Sequence, residues 1–179
     1  TTKNLPISIT VSQSPTPDFV NNFCLFDNGI SGNPGQLDVK SVDISVTGLG
    51  DDEQWVPFDE VEVEVTVEND NNDFSVDNIA FEWGLYDTDL DEWVIDVDEE
   101  DEFDLNDGDE ETITFTFTLD NDMDVDLEDL DDGKHYILFV RATGEVDNDN
   151  NDDTCDWNSE DVDLIVVRDF VTLTDFQIP

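Results

Sequence analysis

From Val61 to Val67 every second residue is valine, with Glu62, Glu64 and Thr66 between them. A period of two gathers the valines on one face only if the segment is a β-strand; a helix would scatter them around its circumference. The same alternation returns in Ile79, Phe81, Trp83 and Leu85, in Trp93, Ile95 and Val97, and in Ile113, Phe115, Phe117 and Leu119 against Thr112, Thr114, Thr116 and Thr118. It recurs in Tyr136, Leu138, Val140 and Ala142, and again in Val162, Leu164 and Val166. Together with residues 39–47 these make seven expected strands, separated by Asp, Asn and Gly clusters, and no segment sustains a 3.6-residue pattern. The expectation is an all-β, immunoglobulin-like β-sandwich over residues 38–168, with an extended N-terminal strand arm before it.

The strands are embedded in an extreme charge. Fifty Asp plus Glu stand against five Lys plus Arg in 179 residues, a formal net charge of −45. Such a surface repels nucleic acid and anionic membrane, so neither is an expected partner. Composition that is 37% hydrophobic, with 12 Phe and 4 Trp, supplies the apolar surface that acidic disordered chains lack. No apolar run is long enough for a membrane-spanning helix, so no membrane insertion is expected. With one His and few basic residues, the raw material for acid–base or phosphoryl chemistry is scarce, and the chain is not expected to be an enzyme.

The acidity is uneven. Residues 1–37 contain only Asp18 and Asp27 as acids, whereas from Asp38 onward nearly every connection is Asp-rich. Within this head, LPISITVS alternates Ile7, Ile9 and Val11 with Ser8, Thr10 and Ser12, the pattern of a lone half-buried strand. Pro15 and Pro17 follow as a stiff spacer, and NGISGNPG marks a boundary before the body. After the seventh strand, residues 169–179 form another strand-like stretch that extends the last strand, begins a further repeat, or adds to a neighbouring molecule. The chain starts at Thr1 rather than Met, as a processed or truncated product would.

Asp outnumbers Glu by 35 to 15, and the acids gather where strands end. In a sandwich, alternate loops share a pole, so residues 69–73, 98–109 and 147–156 should meet at one end and residues 51–53, 87–92 and 120–132 at the other. Mutual repulsion there is relieved by cations, and calcium takes about six to eight oxygen ligands. Three segments space their oxygens as an ion-wrapping loop would: Asp87, Asp89 and Asp91; Asp120, Asp122 and Asp124; and Asp147, Asp149 and Asp153. None is an EF-hand, because Glu92, Val125 and Asp152 stand where the loop glycine belongs. Calcium is therefore the expected cofactor, and a solvated acidic face of the kind found in salt-adapted proteins is the alternative.

Cys24 and Cys155 are the only cysteines and are expected to form one intrachain disulfide; a pair of buried thiols is the alternative. With only His135 to add, they are too few for a zinc site. His135 reads as a strand-end residue, and Arg141 and Arg168 as counter-charges to neighbouring acids. Trp83 and Trp93 share the core periodicity, while Trp55 and Trp157 fall in expected loops, where they are candidates for stacking on sugars. There is no Asn-x-Ser/Thr sequence; a Ser/Thr/Pro-rich patch at residues 10–16 could take O-linked sugar.

Across residues 61–179 the segments VEVTVENDNNDFSVDNIAFEWGLYD, NDGDEETITFTFTL, DGKHYILFVRATGEV and SEDVDLIVV, followed by DFVTLTDFQIP, resemble the tandem immunoglobulin-like, CARDB-type domains of archaeal S-layer-like surface proteins. The resemblance implies an extracellular, cell-surface structural role; it does not reach the head. Joined to the lone strand of the head, it gives the leading expectation: a homopolymeric filament or layer built by strand exchange, with Ile7, Ile9 and Val11 as the donor face, stabilised by calcium. The alternatives are a calcium-dependent adhesion or polysaccharide-binding module, with glycans as partners, and an accessory domain of an extracellular enzyme.

Overall fold

The computed structural model describes Cys24, residues 37–120, Leu130, and residues 133–147 and 153–165; for residues 96–99, 134 and 135 only the backbone is described. The described chain is all β. Its elements are β1 (Leu37–Thr47), β2 (Gln54–Trp55), β3 (Glu60–Asn69), β4 (Val76–Asp87), β5 (Glu92–Glu99), β6 (Phe103–Leu105), β7 (Glu110–Thr118), β8 (Gly133–Val146) and β9 (Asp153–Leu164). The small sheet has the order β1-β3-β7, and the large one β2-β9-β8-β4-β5 with β6 also on β4. The expected β-sandwich is the fold found, with two short strands beyond the seven expected ones.

The core forms where the two periodic faces meet. Val61, Val63, Val65 and Val67 of β3 face Ile79, Phe81 and Leu85 of β4 and Tyr136, Leu138 and Val140 of β8, all fully buried. Trp83 stacks on Phe115 and Phe117 of β7, with ring centroids 4.4 and 4.9 Å apart, so the aromatic rings of one sheet lie flat against those of the other. Val76 and Ile79 both reach this core although they are an odd number of residues apart. A bulge between Asp77 and Ala80, with Asn78 at a φ of 51°, supplies the extra residue, and Asn tolerates that left-handed backbone.

Three sequence expectations change here. Trp55 lies in β2 and not in a loop: β2 pairs in parallel with the end of β9, and its indole is completely buried against Phe117. A buried ring cannot stack on a sugar, so that candidacy lapses. β9 begins at Asp153 and not at Val162, which places Cys155 and Trp157 in a strand. Its first half was obscured by polar residues that pair with β8 along nearly its whole length. In β5, Val94 is the fully buried residue while Trp93 and Ile95 are half-buried, because register shifts in the β4–β5 ladder rotate the strand off simple alternation.

Candidate interaction surfaces

The loops divide between two poles as the strand order requires, and each pole has a buried polar residue that bonds its loops. At the pole formed by residues 69–75, 103–109 and 147, Asn69 is fully buried. Its amide Nδ2 donates to the carbonyls of Phe74, Leu105 and Asn106 at 2.9, 3.3 and 3.0 Å, and its Oδ1 accepts from Asn71 N–H at 3.1 Å. At the opposite pole the Asp59 carboxylate, 2% exposed, accepts from the N–H groups of Leu49, Gly50 and Val56 at 2.7, 3.0 and 2.9 Å. Gly48 permits this approach, since a Cβ there would fall 1.8 Å from Asp59 Oδ1. Periodicity cannot reveal such residues; an Asp or Asn at a strand boundary was the only available signal.

The expected metal ligands are dispersed between these poles. Asp87, Asp89 and Asp91 occupy the β4–β5 turn, where the buried Asp87 carboxylate accepts from the N–H groups of Asp89 and Leu90 at 2.8 and 3.0 Å. The Asp91 carboxylate accepts from the Tyr86 hydroxyl, and Asp91 itself has a φ of 60°. Asp87 thus caps the backbone of this turn. Asp120 follows β7, Asp147 N–H donates to Ser75 O at 3.0 Å, and Asp153 opens β9. Asp122, Asp124 and Asp149 lie outside the described residues, as do Ile7, Ile9 and Val11 of the expected assembly strand. Among the described residues, no three Asp, Glu, His or Cys side chains converge as a metal-binding group.

Sheet edges present a sharper contrast. The open edge of β1 is guarded: the Asp156 carboxylate accepts from Val39 N–H at 2.8 Å, Asn158 Nδ2 donates to Val39 O at 3.2 Å, and Asp52 accepts from Val46 N–H at 3.3 Å. A bulge between Val39 and Ser41 kinks the strand, and Lys40 projects to Glu68 and Glu110 at 2.8 and 3.6 Å. Burial raises the Asp156 pKa above 3.8, against the opposing pull of the Val39 and Trp157 N–H groups and with a smaller push from Asp38. β5 and β9 carry several acids each.

Beyond Glu110 and Glu111 at its start, the β7 edge shows no bulge or side-chain cap among the described residues. Among the described residues, β7 pairs only with β3, and no residue from Thr112 to Thr118 is charged. Its threonines point outward while Ile113, Phe115 and Phe117 face the core, and Ile113 and Phe117 stay half-exposed at the rim. An uncharged strand edge with a half-exposed apolar rim is a template for another strand, and native proteins usually block such edges.

A second apolar surface lies outside the sandwich, on the outer face of the large sheet. Tyr86 and Phe139 are 4% and 2% exposed there, packed with Trp93, Ile137 and Trp157. Trp93 crosses Gly84 so closely that a Cβ would meet its ring at 2.8 Å. Beside this cluster Arg141 bonds Glu82 with its Nε at 2.7 Å, and Cys155, 1% exposed, is joined to Cys24 in a disulfide with a Cα–Cα distance of 5.6 Å.

Neither a protein-family model nor a curated protein matches the sequence. The fold is similar to the C-terminal domain of wzt, at 14% identity and a TM-score of 0.52 over 75% of each chain. Weaker similarities are to the CARDB domain of PF1109 from Pyrococcus furiosus, solved with di-metal ions (16% identity, TM-score 0.36, 72% of this chain and 90% of that one), and to the sporulation control protein Spo0M of Bacillus subtilis (17%, 0.38, 73% and 49%). The two sheets define the class as an immunoglobulin-like β-sandwich, and the likeness to the wzt domain agrees with that fold. At such identities these likenesses speak to fold alone.

Proposed function

We propose that this protein is an extracellular structural subunit that polymerises by strand addition, the β7 edge of one copy receiving the segment LPISITVS of another. The observation that supports this reading is the edge of β7, which from Thr112 to Thr118 is uncharged and among the described residues bears no bulge or side-chain cap, in contrast to the edge of β1. In strand addition, main-chain hydrogen bonds give affinity and alternate side chains fill the apolar rim. Ile7, Ile9 and Val11 have the right period to cover Ile113 and Phe117, and Ser8, Thr10 and Ser12 match the threonine face.

Charge makes this pairing selective. Two surfaces of −45 repel one another, so contact is least opposed where both partners are neutral, as residues 5–12 and 112–118 are. Calcium belongs to the proposal as a condition on assembly, through the acidic poles rather than a defined ligand set. Removing residues 1–13 should abolish filaments or sheets in electron micrographs while leaving the body folded. Equally good assembly without the segment would overturn the reading and return the adhesion module to first place.

A further inference from the structure

We propose that the loop corner carrying Leu49 and Phe58 is a docking site for a cationic amphipathic segment of another protein. The corner is built on the buried Asp59 carboxylate, which accepts from the N–H groups of Leu49 and Gly50 at 2.7 and 3.0 Å and so holds the β1–β2 loop against the residue that follows Phe58. A Cβ on Gly48 would fall 3.1 Å from Asp59 Cα, so the residue before Leu49 lies directly against the residue after Phe58. The two side chains nevertheless face solvent. Leu49 is 87% and Phe58 67% exposed, and among the described residues no other large apolar side chain is exposed as much.

Phe58 is also an unusual residue for its backbone. Its φ of 72° lies in the left-handed region, where glycine fits and a bulky aromatic residue rarely stands. Phe58 N–H donates to Leu119 O at 2.8 Å and Asp59 N–H to Val56 O at 3.0 Å, so the conformation is held from both sides. The ring therefore sits on a fixed mount, strained and out of the core. Strain of this kind gathers at binding sites, and apolar side chains left in solvent together mark a surface that a partner covers.

Charge selects the partner. Asp51, Asp52 and Glu53 follow Leu49 in its loop and Glu60 follows Asp59, all four exposed. An apolar pair among these acids is complemented by apolar side chains flanked by Lys or Arg. A second copy is poorly supplied with them: it has five Lys plus Arg against 50 Asp plus Glu, and Lys40 and Arg141 are already paired with Glu68, Glu110 and Glu82. The site is separate from the β7 edge, so this inference goes beyond strand addition and does not rest on it.

The test uses the full chain carrying Ile9→Asp, so that arm-driven assembly does not intervene, and a helical peptide of Lys, Ala and Leu with the leucines on one face. A control peptide of the same charge has Ser in place of Leu. The Leu peptide should bind about tenfold more tightly than the Ser peptide, the gain expected from covering two apolar side chains. Adding Leu49→Ser and Phe58→Gly should bring the two peptides to within about twofold of each other and leave the affinity for the Ser peptide unchanged. Glycine suits the backbone at position 58, so this variant should still melt cooperatively, and the loss is not one of folding. In the parent chain, amide exchange at residues 48–60 should slow when the Leu peptide binds. Equal affinity of the parent for both peptides would reduce the contact to bulk charge, and a Leu-peptide affinity unchanged by the two substitutions would place the apolar contact elsewhere; either result overturns the assignment. Self-association of the parent, or its flotation with phosphatidylcholine vesicles, that disappears in the substituted chain would overturn it in favour of a second copy or of lipid.

Discussion

Asp59 satisfies three loop N–H groups from a nearly buried position, so its removal leaves donors that water reaches poorly. Asp59→Ala should cost about 2–4 kcal/mol in urea unfolding, since hydrogen bonds to a charged acceptor are among the stronger ones. A loss under 1 kcal/mol would mean that the loop rearranges freely. Asp156 makes a prediction of the opposite kind. Burial raises its native pKa, so the folded state holds this proton more tightly than the unfolded chain does. Its stabilising contribution is therefore fully present below about 3.8 and is lost as pH rises through the raised native value. Asp156→Asn keeps an oxygen for Val39 N–H and carries no charge. It should gain on the wild type as pH climbs toward neutrality, and the advantage should vanish on acidification. A pH-independent difference in melting would contradict this account.

At the scale of elements, β7 alternates threonine with apolar residues from Thr112 to Thr118, and among the described residues its edge carries no side-chain cap. Ile113→Lys introduces an inward-facing charge of the kind natural edge strands use against pairing, and its long stem can still cover the rim. Sedimentation should find this variant monomeric with a cooperative melt, whereas assembly at the wild-type level would place the acceptor elsewhere. Strands with strict alternation, such as β3 and β7, were legible in the sequence because one face is wholly apolar. β9 was half hidden because its inward residues Asp156 and Asn158 bond the backbone of β1 instead of filling the core. β2 was missed because two residues carry no period, and the outer aromatic face because Trp93 follows a shifted register. The spacing of Asp87, Asp89 and Asp91 suits ion ligation, and Asp87 also caps the backbone of the turn. The open edge was invisible in sequence because edge and centre are properties of sheet order.

At the scale of the molecule, a net charge of −45 opposes both folding and association, so ions should matter to each. If calcium coordinates the acidic loops, CaCl₂ should raise the melting temperature more than NaCl at matched ionic strength, because screening alone does not supply coordination. Equal effects would assign the acids to salt adaptation. The Cys24–Cys155 link spans 131 residues, and reducing it should cost about 2–5 kcal/mol. Calorimetry with and without reductant reads this directly. Strand addition itself requires two separate surfaces per subunit, a donor at Ile9 and an acceptor at β7, and that duality can be tested by complementation. Chains carrying Ile9→Asp retain the acceptor, and chains carrying Ile113→Lys retain the donor. Each alone should sediment as a monomer, and an equimolar mixture should give one-to-one heterodimers that grow no further. A mixture that stays monomeric, or either variant polymerising by itself, would contradict strand addition between residues 5–12 and β7.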